Sequence, residues 1–444
     1  MISSARALLL AVLLLAPAVR GADPYGPTTL VYPTFKHDLG FHHVSDTHLR
    51  IFTGNRHRFR APRGIAAVKL IERDLPDKKG DDDELTVYGV NSGEHSIIYN
   101  TSDISLAVYG KRGSGPGEFL SPFGVAANPE GDLYVSDTGN DRIVHLRNRG
   151  GELRELWTLG SARGDSVPFD SPRGLALATS GDLYVADTGN HRIVVLDRAG
   201  RLVRVIGGGD LLRAPEAIAL LDREEPWSYR PDAFLVVIDR NGTRVRRLGL
   251  DGGVTAETGA DSLGLADARF RGAAIDYYHQ IWLTDEAGHR IMKLDSRLKL
   301  VTFFGREGGG DHEFHGPFGI TCWRRFGQFF ISEGTGAQYY WVGVDVLGYH
   351  AVPAVFDPGG RVVFTLTERA RVTVEVADRK GKTLTLLAED RPFGAGERYV
   401  RWDGKGGDGA RLPPGKYMVR IRARATYSSS KHFEKKVEFL LTLG

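Results

Sequence analysis

Residues 121–146 read SPFGVAANPEGDLYVSDTGNDRIVHL, and residues 171–196 read SPRGLALATSGDLYVADTGNHRIVVL. The second stretch repeats the first at a spacing of 50 residues. Self-similarity at such a period marks a solenoid or a propeller, in which one supersecondary unit is used repeatedly. Inside each copy a short apolar run, Leu133–Val135 or Leu183–Val185, precedes the turn signal Asp-Thr-Gly-Asn. A second apolar run follows, Ile143–Leu146 or Ile193–Leu196. Two such runs around a Gly/Asn/Asp cluster read as a β-hairpin. No 3.6-residue period is sustained within either copy, which argues against a helical repeat.

The unit continues on both sides in degraded form. It opens with Pro-x-Gly and an apolar residue, at Pro62–Ile65, Pro122–Val125, Pro172–Leu175 and Pro317–Ile320. Pro215–Ile218 keeps the pattern with Ala217 for the glycine, and Phe270–Ala273 with Phe270 for the proline. Each of these six openings is followed by a hairpin pattern: 85–99, 133–146, 183–196, 234–248, 281–294 and 329–342. The first five units then close on an apolar run ending in glycine: 106–110, 156–160, 203–207, 254–259 and 301–305. Six units of four strands predict an all-β, six-bladed β-propeller. The sixth unit lacks a closing strand of its own. The run Leu49–Gly54 precedes the first opening motif and is expected to supply it, joining the two ends of the ring.

These motifs resemble the NHL-repeat family of propellers over residues 49–348, most closely in the second and third units. After Gly348 the pattern changes to alternation, Val362, Phe364, Leu366 and then Val372, Val374, Val376, as half-buried strands require. Residues 351–425 carry Trp402-Asp403-Gly404, Gly409 and Pro414-Gly415-Lys416-Tyr417, and resemble the Ig-like domain of the flagellar hook-capping protein (FlgD-like). That resemblance implies a β-sandwich, with residues 431–443 as one further strand. The expected organisation is a signal peptide over 1–22, a propeller over 23–349, a linker and first-strand approach over 350–360 and a sandwich over 361–444.

The leader reading rests on Arg6, the uncharged run Ala7–Ala16, Pro17 and Arg20-Gly21-Ala22. That run is too short to span a bilayer, and the expectation is an exported protein: periplasmic, cell-surface or extracellular. Cys322 is the only cysteine, so no intramolecular disulfide can form. The formal net charge of +3 falls to +1 without Arg6 and Arg20. No Lys/Arg run interleaved with aromatics points to nucleic acid.

The turns Asp137, Asn140, Arg142 and Asp187, Asn190, Arg192 recur as Asp285, Arg290 and as Asp239, Arg244. A catalytic group is needed once and a turn in every blade, so these are read as structural. The residue between Pro and Gly begins the channel-lining strand of each blade. Around the ring it is Arg63, Phe123, Arg173, Glu216, Arg271 and Phe318, a candidate mouth for an anionic ligand. The peptide-amidating lyases resemble NHL propellers and bind zinc through histidines, some at this position, but no opening position here is His. His312 and His315, in DHEFHGPFG, are the metal candidates that remain. The acidic run in Glu72–Glu84 lacks the alternation of a calcium loop. The loop Asp222–Asp232, with Trp227 and Tyr229 between prolines, is expected on the face opposite the arginines. No cofactor motif is present: GSGPGEF at 113–119 lies between blades, not between a strand and a helix.

The function expected is non-catalytic binding of a protein, peptide or glycan on the propeller face, with envelope association through the second domain. The alternative is a lyase or hydrolase working in the central channel, with or without a metal.

Overall fold

The computed structural model describes residues 27–33, 42–54, 56–73, 85–101, 105–160, 167–208 and 210–444. The leader and most of the acidic loop 72–84 lie outside these residues. Among the described residues, five four-stranded antiparallel sheets follow one another in the chain, covering 62–109, 125–159, 172–207, 217–259 and 270–304. A sixth is built on Ile320–Trp323, Gln328–Glu333 and Gly336–Val342. The first strands neighbour one another in chain order, and Ile320–Trp323 packs beside Pro62–Lys69, so the ring closes. The six sheets are the blades of a β-propeller. Its core lies between blades, for example Val236, Ile238, Phe270, Ile281 and Leu283.

The N-terminus does complete the sixth blade, but not through the residues expected. Leu30–Val31 pairs with Trp341–Val342, and His43–Ser45 pairs with Gly336–Gln338. Residues 46–53, overlapping the run Leu49–Gly54 expected to be that strand, form an α-helix instead. Ser45 caps it, with the His48 side chain reaching back to the Ser45 backbone, and Asp46 lies in the first turn, where the helix dipole favours an acid. Only Leu49 is buried in this helix while Ile51 faces solvent, a pattern that the strand-like composition Leu-Arg-Ile-Phe conceals.

The C-terminal domain is a sandwich of a three-stranded and a five-stranded sheet around Val362, Phe364, Val374, Trp402, Val419 and Ile421. Residues 435–443 do add a strand, paired with 415–423. Residues 350–360, expected as a linker and first-strand approach, already carry strand pairings of the sandwich. Val346–Val352 pairs with Gly360–Leu366, and Val355–Phe356 pairs with Thr442–Leu443.

The two domains share a buried seam. Lys293 of the fifth blade bonds to Glu368 of the sandwich at 2.6 Å, and Gln280 bonds to both Glu368 oxygens at 2.8 Å. Tyr427 packs into the core of the sixth blade, and Thr28 and Thr29 reach Asp345. Tyr229 and Tyr278 meet at a tilt, with centroids 5.3 Å apart, under Arg369. The aromatic loop 222–232 thus meets the chain's own sandwich. Loops joining first and second strands carry much of this seam, so the sandwich sits against the fourth to sixth blades on the side opposite the blade openings.

Candidate functional site

At five of the six openings, those of Arg63, Phe123, Arg173, Glu216 and Phe318, the backbone carbonyl accepts a hydrogen bond from a neighbouring blade. The Gly174 N–H donates to the Glu216 carbonyl at 2.9 Å, and the Gly64 N–H to the Phe123 carbonyl at 2.8 Å. The Ser136 and Thr284 hydroxyls donate to the carbonyls of Arg173 and Phe318, each at 2.6 Å. The glycine of the motif is explained by this approach. A Cβ on Gly174 would lie 2.6 Å from the Glu216 carbonyl oxygen, and one on Gly272 would lie 2.4 Å from that of Phe318. Only a residue without a side chain lets adjacent blades meet so closely.

The six side chains meet at one mouth. Arg173 Nη1 bonds to Glu216 Oε1 and Arg271 Nη1 to Glu216 Oε2, both at 2.8 Å. Glu216 is 3% exposed and bridges two arginines. Phe123 and Phe318 meet edge to face, with centroids 5.3 Å apart, although three blades lie between theirs along the chain. Their rings therefore meet beside the opening of the first blade, which lies between theirs in the closed ring. Arg63 lies over Phe318 at 4.2 Å and Arg173 over Phe123 at 5.2 Å. At the far end Arg324 crosses the ring, donating to the carbonyls of Ile275 and Leu220 and pairing with Glu225.

One member of the mouth was not expected. Glu286, in the hairpin turn of the fifth blade, accepts Arg271 Nε at 2.6 Å and stands 4.0 Å from Arg63 Nη1. Its sequence signal was a departure from the repeat: Asp-Thr at 137–138 and 187–188 becomes Asp-Glu at 285–286. Three guanidinium groups thus face two carboxylates. Burial lowers the Arg63 pKa; Glu286 opposes this, and the charges of Arg271 and Arg173 add to it. Arg63 bonds to no acceptor within hydrogen-bond distance among the described residues, whereas Arg173 and Arg271 are held by carboxylates.

The family model of the NHL repeat matches residues 119–146 and 169–196, and that of the FlgD Ig-like domain matches residues 352–426. The chain carries NHL repeats and a FlgD Ig-like domain. Comparison with curated proteins gives no match. Among solved structures, it is similar to virginiamycin B lyase from Staphylococcus aureus at 14% identity. That match covers 70% of this chain and 93% of the other, with a TM-score of 0.41. A gluconolactonase from Xanthomonas campestris matches at 15% identity over 64% and 87%, with a TM-score of 0.44. PorZ, a surface component of the type IX secretion system of Porphyromonas gingivalis, matches at 14% identity over 90% and 54%, with a TM-score of 0.43.

In this NHL propeller the recurrent turns are knitted into the blades. Asp137 accepts the Leu120 N–H, Asn140 and Arg142 at 2.6–2.7 Å. Asp187 does the same with Asp170, Asn190 and Arg192, and Asp285 with Arg269, Gly288 and Arg290. The glycine-rich stretch 113–119 is likewise occupied from within, because Glu118 accepts the N–H groups of Ser114 and Gly115.

The two metal candidates do not come together at the axis. His312 Nε2 bonds to the Leu30 carbonyl at 2.7 Å and packs against Tyr32, Phe304 and Tyr340, on the side of the N-terminal strand. His315 is held through its backbone by Glu333. Among the described residues, no group of three or more His, Cys, Asp or Glu has metal-holding geometry.

Proposed function

We propose that this is an exported, non-catalytic binding protein that captures an acidic segment of a partner protein at the propeller mouth. The observation that carries the reading is Arg63. Its planar guanidinium rests on Phe318, lies in a ring with one more positive than negative charge, and has no bonded acceptor. A guanidinium fork preorganised on an aromatic face suits a carboxylate, and the phenylalanines beside it suit an apolar neighbour on the same peptide. The paired phenylalanines beside Arg63 offer an apolar surface at the mouth for such a segment. The Arg6-to-Ala22 leader pattern supports export. The sandwich, seated on the opposite side against the fourth to sixth blades, serves as a base that leaves the mouth outward.

The test is isothermal titration with a synthetic peptide alternating glutamate and phenylalanine, beside a control with lysine in place of glutamate. The reading expects saturable binding of the acidic peptide only, weakened at least tenfold in Arg63→Ala. Equal binding of both peptides, or no effect of Arg63→Ala, overturns it.

A further inference from the structure

We infer that Glu286 is a resident competitor at the mouth, a carboxylate that sets how tightly an incoming carboxylate is held by Arg63. The inference rests on the binding role proposed above and names the residue that tunes it.

The two carboxylates at the mouth are not equivalent. Glu216 is buried, with each oxygen bonded to a different arginine, so it acts as scaffold. Glu286 is 34% exposed on its side chain. Its Oε2 takes Arg271 Nε, while Oε1 faces Arg63 at 4.0 Å and accepts no hydrogen bond among the described residues. The pair spans from the fifth blade to the first across the ring of Phe318, which lies under both Arg63 and Arg271. A carboxylate standing off a guanidinium at that distance lowers its appetite for another anion without saturating its donors.

The repeat shows what the position does elsewhere. In the second and third blades the residue after the turn aspartate is threonine. Thr138 Oγ1 bonds to the Pro172 carbonyl and Thr188 Oγ1 to the Pro215 carbonyl, each at 2.6 Å, latching one blade to the next. Glu286 forgoes that latch and turns its carboxylate to the arginines. A side chain that abandons a structural bond for a half-made ion pair at a charged mouth is placed for exchange. The incoming carboxylate takes the Arg63 fork, and Glu286 stays with Arg271.

The experiment measures the same acidic peptide on wild type, Glu286→Gln and Glu286→Thr, the last restoring the residue of the second and third blades. Removing the competing charge should tighten binding about three- to tenfold, the size of one screened Coulomb pair at a part-exposed site. The gain should shrink at high salt. Thermal melts establish that both variants fold. Affinity unchanged or weakened in both variants, with wild-type binding intact and dependent on Arg63, overturns the competitor role alone. No binding of the peptide by wild type or by either variant overturns both readings.

Discussion

Lys293 Nζ lies 2.6 Å from Glu368 Oε2, with both side chains wholly buried where the sandwich meets the fifth blade. The ammonium also stands over the Trp282 ring at 4.4 Å, and the Trp282 indole bonds to buried Asp276. One lysine therefore serves two carboxylates, with Gln280, Tyr278, Tyr427 and Cys322 around them. Such a cluster ties the two domains into one cooperative body. Removing Lys293 alone strands two buried acids, so Lys293→Met should destabilise the whole chain by about 3–5 kcal/mol in denaturant titration.

The same cluster makes the seam pH-dependent. Burial raises Glu368 to about 7 against Lys293, which pulls the other way, and burial raises Asp276 as well. The folded state then binds more protons than the unfolded state from about pH 4.5 upward, so the Glu368 contribution falls as pH rises to about 7. His279 acts in the opposite sense. Burial lowers it to about 4, so its contribution is present above about pH 6.5 and is lost in acid. Comparing Glu368→Gln with wild type isolates the first effect. The melting-temperature difference should move in favour of Glu368→Gln between pH 5 and pH 8, whereas a constant difference would remove Glu368 from the account.

At the mouth, Glu216 is the shared acceptor of Arg173 and Arg271. Glu216→Gln should cost about 2–3 kcal/mol, less than for a wholly buried pair because both arginines reach solvent. Urea titration at constant pH measures it.

The blade-opening glycines should resist even a methyl group. On Gly272 it would meet the Phe318 carbonyl oxygen at 2.4 Å, which is backbone and cannot swing away. Gly272→Ala should destabilise by about 1–3 kcal/mol, the scale of overpacking. A neutral substitution would show that the blades can spread.

The N-terminal strand should hold the ring closed. Leu30 is fully buried among Phe314, Phe329, Tyr340 and Val342 of the sixth-blade core. Leu30→Ala should cost about 2–5 kcal/mol. Loss of that strand would leave the edge of Gly336–Val342 open to self-association, seen by light scattering.

The blades were legible because the repeat preserves what each one needs: glycine for close approach, aspartate for the turn, apolar alternation for the sheet. The six opening residues could be placed at one mouth for the same reason, since a shared register implies a shared location. Glu286 escaped because it lies two elements beyond the opening motif, and only its mismatch with Thr138 and Thr188 marks it. The helix 46–53 escaped because Leu49, Ile51 and Phe52 give a strand-like composition, while its cap depends on a histidine in an unusual role. The seam escaped for a deeper reason. Lys293 occupies the repeat position of His145 and Val195, and a lysine there reads as solvent-facing until a second domain is known to cover it. Pairings between distant segments, such as Lys293 with Glu368, leave no trace in either segment alone.

The mouth ringed by Arg63, Arg173, Arg271, Glu216 and Glu286 is the proposed meeting place of this protein and its partner. A crystal structure with the glutamate–phenylalanine peptide puts that to the test. It should show a peptide carboxylate on the Arg63 guanidinium, with the neighbouring apolar side chain against Phe123 and Phe318. A peptide bound elsewhere, such as the groove of about 1320 Å³ between Leu384 and Trp402 on the sandwich, with the mouth unchanged, would contradict it.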